Sequence, residues 1–591
     1  MVTASKAEPV VERESRPPLD VARRLWSAPL WAHCLALGLL LAVLFPFMSP
    51  RSSFTSDEGA YALQADALGH GTWAYDYKAA PVDPEGRYFP LVLSSRSGDD
   101  FYAYIQHPAY PALLRGAIAV AGSTVGLHLL ALLGTLGTAV AAWLLAGEVD
   151  ERLRRAAFWM AALSPALVNG YLLWAHTLAA AVAGLTLVAL VRMVRRGPTT
   201  GRTAAAVGGL CLGVLLRSEA LLFAAAAAAV SAFVAWQMPI AAGPRLRMLP
   251  TRVRTRVLRP LRAGLALALL AGLPAAVALT ERLWVRRMVD GTYDSFHDRA
   301  AGTSWLSGRV TGAWHDLFQG LDVSGSGRVL GPAALVVIVG FGVMALRRWR
   351  ADSVGALVIG SVAAAGLLGA QFMRYPSGPI SGLFVVWPLA LLGLILVRWR
   401  REAQVVAVLG AIIGTFGVVV VGTEYAAGGG VEWGGRFFLP ALAPLAVLAV
   451  VGLDRRLAMA PLGGRRIATS LLAVMAIGGA ALGVASVARL RADQGSLVTA
   501  VARHRSPVTV TTVPALPRIS WSTNDTVNWM LTDDAGLHDV LTGLRRRGLD
   551  EVSVVTGRPG PTTADTGFVT VEELPETDLR SHGLGLYVLR T

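Results

Sequence analysis

Ser56-Asp57-Glu58-Gly59-Ala60-Tyr61 lies a few residues beyond the first apolar run of the chain, Leu30 to Phe47. The two adjacent acids open a polar loop from about Ser49 to Gln106. With the apolar segment Ala112 to Ala121, read as lying at the membrane interface, this loop fills residues 50–122. Beyond it the chain is mostly apolar, in runs of about 20 residues, the length that crosses a hydrocarbon layer as a helix. Paired carboxylates at the head of a long polar loop, on an otherwise buried chain, are where chemistry is expected.

Composition agrees with this reading. The 591 residues are 54% hydrophobic and 16% charged, with a mean hydropathy of +0.52. Soluble domains carry about 25% charged residues. The fold class is therefore an α-helical polytopic membrane protein. Apolar runs after the first fall at about 124–146, 156–171, 176–193, 204–217, 220–236, 263–280, 330–346, 353–370, 381–397, 403–423, 438–453 and 467–488. With the first they make about thirteen spans.

The net charge of +15 has a topological origin. Strict alternation puts the loops at 148–155, 192–202, 245–262, 347–350, 398–401 and 454–466 on one side, and all are Arg-rich. Positive charge collects on the cytoplasmic side, so these loops face inward. The basic runs are short and sit between spans, and nucleic acid is not expected as a partner. Residues 1–25, with Pro17-Pro18 and Arg23-Arg24, read as a disordered cytoplasmic tail. The first span lacks a small-residue cleavage site and reads as an uncleaved anchor. Cys34 and Cys211 both fall in apolar runs, so no disulfide is expected.

Residues 26–488 form the transmembrane domain on this reading, and an odd span count places 489–591 outside. Val508–Val513, Glu551–Thr556, Gly567–Val571 and Leu586–Leu589 alternate as strands, and Asp534 to Arg547 has helical spacing. This is a small extracytoplasmic α/β domain with no phosphate loop, metal spacing or nucleophile elbow. It reads as an accessory or acceptor-recognition module. In the outer loop, Ser56 is expected to cap a helix through Leu68, and Tyr88–Leu93 to pair with Phe101–Ile105 as a hairpin.

Several residues are candidates for chemistry. Asp57 and Glu58 suit a general base or cation site, against the competing reading of solvated helix-capping charge. Adjacency on a helix does not say which acid works. His107, before Pro108, supplies a cation near Asp57 or a phosphate contact, or is a plain loop residue. Arg217-Ser218-Glu219 is a local ion pair capping a helical hairpin, or a basic group facing an anionic lipid head. In Glu432-Trp433-Gly434-Gly435-Arg436, the glycines let backbone approach a ligand and Arg436 offers a fork suited to phosphate. Trp433 stacks on a sugar or sits in the aromatic belt. Arg374-Tyr375 joins the same basic region, and Asn169, Tyr171 and His176 mark an outer turn. Asp290, Asp294, His297, Asp298, His315 and Asp316 match no metal motif.

In order and placement these motifs resemble the GT-C superfamily of integral-membrane glycosyltransferases, and within it the protein O-mannosyltransferase and lipid A aminoarabinose transferase group. Asp57-Glu58…Tyr61 matches the acidic opening of the group's outer loop. His107-Pro108…Pro111 resembles its basic-plus-proline exit, and Ser164-Pro165…Asn169-Gly170-Tyr171 its third-span turn. The resemblance covers roughly residues 30 to 240. It implies a sugar donor on a polyprenyl phosphate and a cell-envelope glycan, lipid or protein as acceptor. It also implies Asp57 as general base, inversion at the sugar carbon, and Arg436, Arg374, Arg217 and His107 around the departing phosphate. Members often carry a second acid near the start of the fourth span. This sequence has His176 there, which leaves that role unfilled or taken by Glu219, Glu424 or Glu432. No cofactor is required beyond a possible divalent metal. Two other classes stay open: a transporter or flippase, against which no two-fold repeat is visible, and a non-catalytic envelope scaffold.

Overall fold

The computed structural model describes residues 28–48, 52–91, 95–103, 107–237, 258–288, 305–319, 327–350, 352–374, 382–400, 402–423, 433–504, 506–557, 560–561, 564–574 and 583–591. The expected N-terminal tail, Glu424, Glu432, Gly428–Gly430, Tyr375 and the Asp290–Asp298 cluster lie outside them.

Helix α1 (Leu30–Met48) leads to α2 (Ser56–Gly69), then to a short hairpin of β1 (Ser95–Ser97) and β2 (Asp100–Tyr102). The hairpin pairs Arg96 with Phe101, so its first strand is Ser95–Ser97 and not the expected Tyr88–Leu93, whose described residues 88–91 form no strand; Gly98 at positive φ makes the tight turn. Next come α3 (Ala109–Val149), α4 (Arg154–Ala162), α5 (His176–Arg196), α6 (Thr200–Leu216) and α7 (Glu219–Gln237). After them stand α8 (Arg259–Met288), α9 (Gly327–Arg347), α10 (Ser353–Arg374), α11 (Pro388–Leu396) and α12 (Gln404–Thr423). A 3-10 turn, Arg436–Ala441, enters α13 (Leu442–Leu457), and α14 (Leu462–Arg503) completes the series.

Among the described residues, ten helical stretches are long and apolar enough to cross a membrane. The three other runs read from the sequence coincide with shorter or broken helices. These are α4 with the Ala166–Asn169 turn, α6, and the Leu383–Val386 turn interrupted by Trp387 before α11. The expected interfacial segment Ala112 to Ala121 is continuous with the next span, and the two meet at Gly122. Gly122 has φ 77 and ψ 167, a conformation strained for any residue with a β-carbon, and α3 turns sharply there.

Helix α13 sits at the centre, with nearly every side chain buried against α3, α5 and α11. Close approach to α11 depends on glycine: a β-carbon at Gly452 would overlap the Gly393 carbonyl oxygen. Because that neighbour is backbone, it cannot swing aside. Gly452→Ala is therefore expected to destabilise the protein by about 1–3 kcal/mol, read as a lower thermal midpoint of the purified chain.

The C-terminal domain holds β3 (Thr509–Thr511), α15 (Leu516–Ile519), β4 (Trp529–Leu531), α16 (Leu537–Arg546), β5 (Glu551–Gly557), β6 (Thr570–Glu573) and β7 (Leu584–Arg590). The strand order is β4-β3-β5-β7-β6, parallel through β5 and antiparallel beyond. Strand β4 escapes sequence reading because three residues are too few to show a period. Leu537, Val540, Leu541 and Leu544 on α16 cover the sheet, joined by Tyr77 and Phe101 from the outer loop. The loop and the domain are further tied by Leu531 N–H donating to the Tyr88 carbonyl at 2.8 Å and by a Lys78–Asp525 ion pair at 3.1 Å. Helix α14 runs unbroken through residue 489, so the expected domain boundary falls inside one rigid element.

Candidate active site

The site is built on the first turn of α2. Its N-cap is Thr55, one residue before the expected Ser56. The carboxylate of Glu58 turns back to accept from Phe54 N–H at 2.6 Å and Thr55 N–H at 2.9 Å, the reaching-back half of a capping box. Its other oxygen accepts from Leu173 N–H at 2.8 Å and from the Arg491 guanidinium of α14 at 2.5 Å. Both side chains are essentially inaccessible to solvent. Glu58 therefore has its acceptor capacity engaged in holding the loop, α5's approach and α14 together.

Asp57 points elsewhere. Its side chain is 30% exposed, and Oδ2 accepts from Arg436 Nη1 at 3.0 Å. Burial alone would raise this carboxyl, but the guanidiniums of Arg436, Arg518 and Arg217 outweigh it and hold the group below its ordinary value. Arg436 starts the 3-10 turn after Gly434 and Gly435, both at positive φ. Those glycines serve packing, not ligand approach as expected: β-carbons there would overlap Pro165 and the Asp316 carbonyl. The guanidinium lies 5.9 Å from the Trp174 ring centre and 5.3 Å from that of Phe437.

Arg217 and Glu219 form the local pair read from the sequence, here two-pronged. Nη2 meets Oε1 at 2.6 Å and Nε meets Oε2 at 3.0 Å, with both residues buried. Arg217 also donates to the Tyr61 hydroxyl at 3.4 Å. Burial, only partly offset by Arg217, raises the Tyr61 hydroxyl above its ordinary value and keeps it a neutral phenol. His176 is buried with its ring 4.4 Å from that of Trp174 and Nε2 3.9 Å from Glu219. Among the described residues, neither ring nitrogen finds a hydrogen-bond partner. Asp57, Tyr61, His176, Arg217, Glu219 and Arg436 are thus gathered from separate stretches of chain.

Other expected residues have different surroundings. His107, at φ 51, pairs with Glu281 at 3.1 Å. Trp433 is buried, with its indole against Gly483 of α14 and its carbonyl accepting from Asn169 at 2.9 Å. It is neither a sugar platform nor a belt residue. Arg374 ends α10, and its side chain lies outside the described atoms, as does Glu432. Among the described residues no group of three or more His, Cys, Asp or Glu side chains could hold a metal ion. The His107–Glu281 and His176–Glu219 pairs supply two donors each, which does not fit a resident ion held by three protein ligands. Sequence reading missed Trp174, Glu281, Arg491 and Arg518. None of them stands in a local motif, and each is brought in by tertiary packing.

No protein-family model matches the chain, and no curated protein matches it. Among solved structures, ArnT from Cupriavidus metallidurans in the apo state aligns with a TM-score of 0.51 at 12% identity, over 96% of this chain and 98% of that one. ArnT bound to undecaprenyl phosphate gives 0.49 at 11% identity, over 94% and 97%. The Archaeoglobus fulgidus oligosaccharyltransferase in complex with Zn and sulfate gives 0.43 at 12% identity, over 88% and 67%. At these identities the likeness is one of fold. This chain is a multi-pass membrane protein that shares, over nearly its full length, the fold of the ArnT structure.

Proposed function

We propose that the protein moves a sugar from a polyprenyl-phosphate donor to an acceptor hydroxyl at the outer face of a bacterial plasma membrane. The N-terminus lies inside and the C-terminal domain outside, as the inward Arg-rich loops require. One observation carries the reading: an accessible carboxylate, Asp57, held 3.0 Å from Arg436 beside a second buried guanidinium, Arg217, at the head of an apolar bundle. A phosphate on a lipid needs such guanidiniums, and a hydroxyl nucleophile needs such a base.

In this mechanism the acceptor oxygen attacks the sugar carbon while its proton passes to Asp57. The carbon–phosphate-oxygen bond breaks on the opposite face, and the electron pair leaves with the phosphate toward Arg436 and Arg217. The sugar carbon inverts. The arriving donor phosphate competes with Asp57 for Arg436 and so loosens one of the contacts that keep the carboxylate a weak base. Glu58 holds the loop, while Tyr61, His176 and Glu219 present polar atoms to the sugar. His107, with Glu281, borders the same loop exit.

The test is transfer of labelled sugar from polyprenyl-phosphate donors by the purified full chain, with host membrane extract supplying acceptors. Turnover supports the reading, and movement of donor lipid across vesicles without turnover replaces it with a flippase. Arg436→Gln is expected to lower kcat/KM for donor about 10–100-fold, the worth of one hydrogen bond to a charged group, with acceptor KM unchanged.

A further inference from the structure

The C-terminal domain reaches the site through α15. A β-carbon at Gly59, two residues beyond Asp57, would overlap the Arg518 carbonyl oxygen, so α15 lies directly on the first turn of α2. Ser53 N–H donates to the Ile519 carbonyl at 3.5 Å, and the Ser52 hydroxyl donates to the Arg491 carbonyl at 2.9 Å, which pins the strand leading into α2. The Arg518 side chain is 1% exposed, one of the largest fully buried side chains in the molecule. A guanidinium is costly to bury without an anion to face. The Asp57 carboxylate is an anion within its electrostatic reach.

We propose that the C-terminal domain is part of the catalytic centre, packing α15 on the turn that bears Asp57 and lending Arg518 as a positioning residue that, with Arg436, sets the charge of Asp57. Its catalytic consequence rests on the transferase reading, whereas the electrostatic contact does not. The groups facing this carboxylate are Arg436 on the 3-10 turn, Arg518, Arg217 between α6 and α7 with its partner Glu219, and Tyr61 on α2. Glu58 and Arg491 neutralise each other alongside. Three arginines against two carboxylates leave an excess positive charge where an anionic leaving group would rest.

The test reads Asp57 directly. Dicyclohexylcarbodiimide modifies protonated carboxyls, and peptide mass spectrometry of the full chain in detergent follows Asp57 modification against pH. In the wild type, modification begins below the ordinary carboxylate range. Removing a nearby cation raises a carboxyl's pKa, so in Arg518→Gln and Arg518→Met it should begin about one pH unit higher. Arg518→Lys keeps the charge and should keep the wild-type onset. Arg545→Gln, which removes an exposed partner of Asp550 on the same domain, is the control and leaves the onset in place. A wild-type onset in the folded neutral variants overturns the proposal. If both neutral variants fail to fold, Arg518→Lys decides: folding with the wild-type onset supports a charge requirement, and failure to fold assigns the Arg518 side chain to packing and overturns the proposal. No sugar donor is involved, so absence of transferase activity and absence of this contact are separate results.

Discussion

Asp57→Asn is expected to lower sugar transfer about 10²–10⁴-fold, the usual worth of a general base, with the fold intact. Asparagine has the same shape, and its carbonyl oxygen can still accept from Arg436 across the 3.0 Å contact. The side chain is partly exposed and Arg436 keeps its ring neighbours, while buried Arg518 loses a nearby anion, so a modest fall in stability accompanies the loss of activity. The wild-type pH profile should carry the same signature. Because the Asp57 carboxyl is held below its ordinary value, the base stays ionised as pH falls through the usual carboxylate range, and activity declines only below it. The stabilising contact with Arg436 follows the same sign. It is present above the unfolded pKa and lost as pH falls through the folded one. Equal turnover by Asp57→Asn and wild type would remove Asp57 from the chemistry.

Glu58→Ala should behave in the opposite way, with a collapse of stability of about 3–5 kcal/mol. It leaves the inaccessible Arg491 guanidinium without its anion and the N–H groups of Phe54, Thr55 and Leu173 without their acceptor. Thermal denaturation of the purified protein measures this loss. Pairing Glu58→Leu with Arg491→Met should recover part of it, since an apolar pair of similar size avoids the stranded charge. A Glu58→Ala protein that melts like the wild type yet transfers nothing would make Glu58 a chemical residue and sink this division of labour. Measured together, the two variants separate a group that acts on substrate from its neighbour that holds the loop.

That division was not readable from Asp57-Glu58 as a dipeptide. Neighbours on a helix point about 100° apart, so one of the two faces the interior, but which one depends on distant partners. Arg491 lies 433 residues from Glu58, and Arg436 lies 379 from Asp57. The cation supplied by Arg518 was equally hidden, because α15 is four residues long and its approach rests on a missing β-carbon at Gly59. The run of α14 through residue 489 was obscured because polar residues such as Arg489, Arg491 and Asp493 look like the end of a span. Here the helix continues to Arg503, and Arg491 turns inward to meet Glu58.

By itself the sequence determined the membrane class, most of the apolar helices and the acidic loop after the first of them, and it offered the Arg217–Glu219 pair as one of two readings. Each rests on local physics: a long uncharged apolar run is most stable as a spanning helix, and two opposite charges two residues apart can meet without help from the rest of the chain. Only the tertiary structure decided which acid is accessible, what Arg436 faces and that the C-terminal domain packs on the turn bearing Asp57. These depend on helix packing that brings together groups hundreds of residues apart, and no periodicity or motif encodes the direction in which a buried side chain finds its partner.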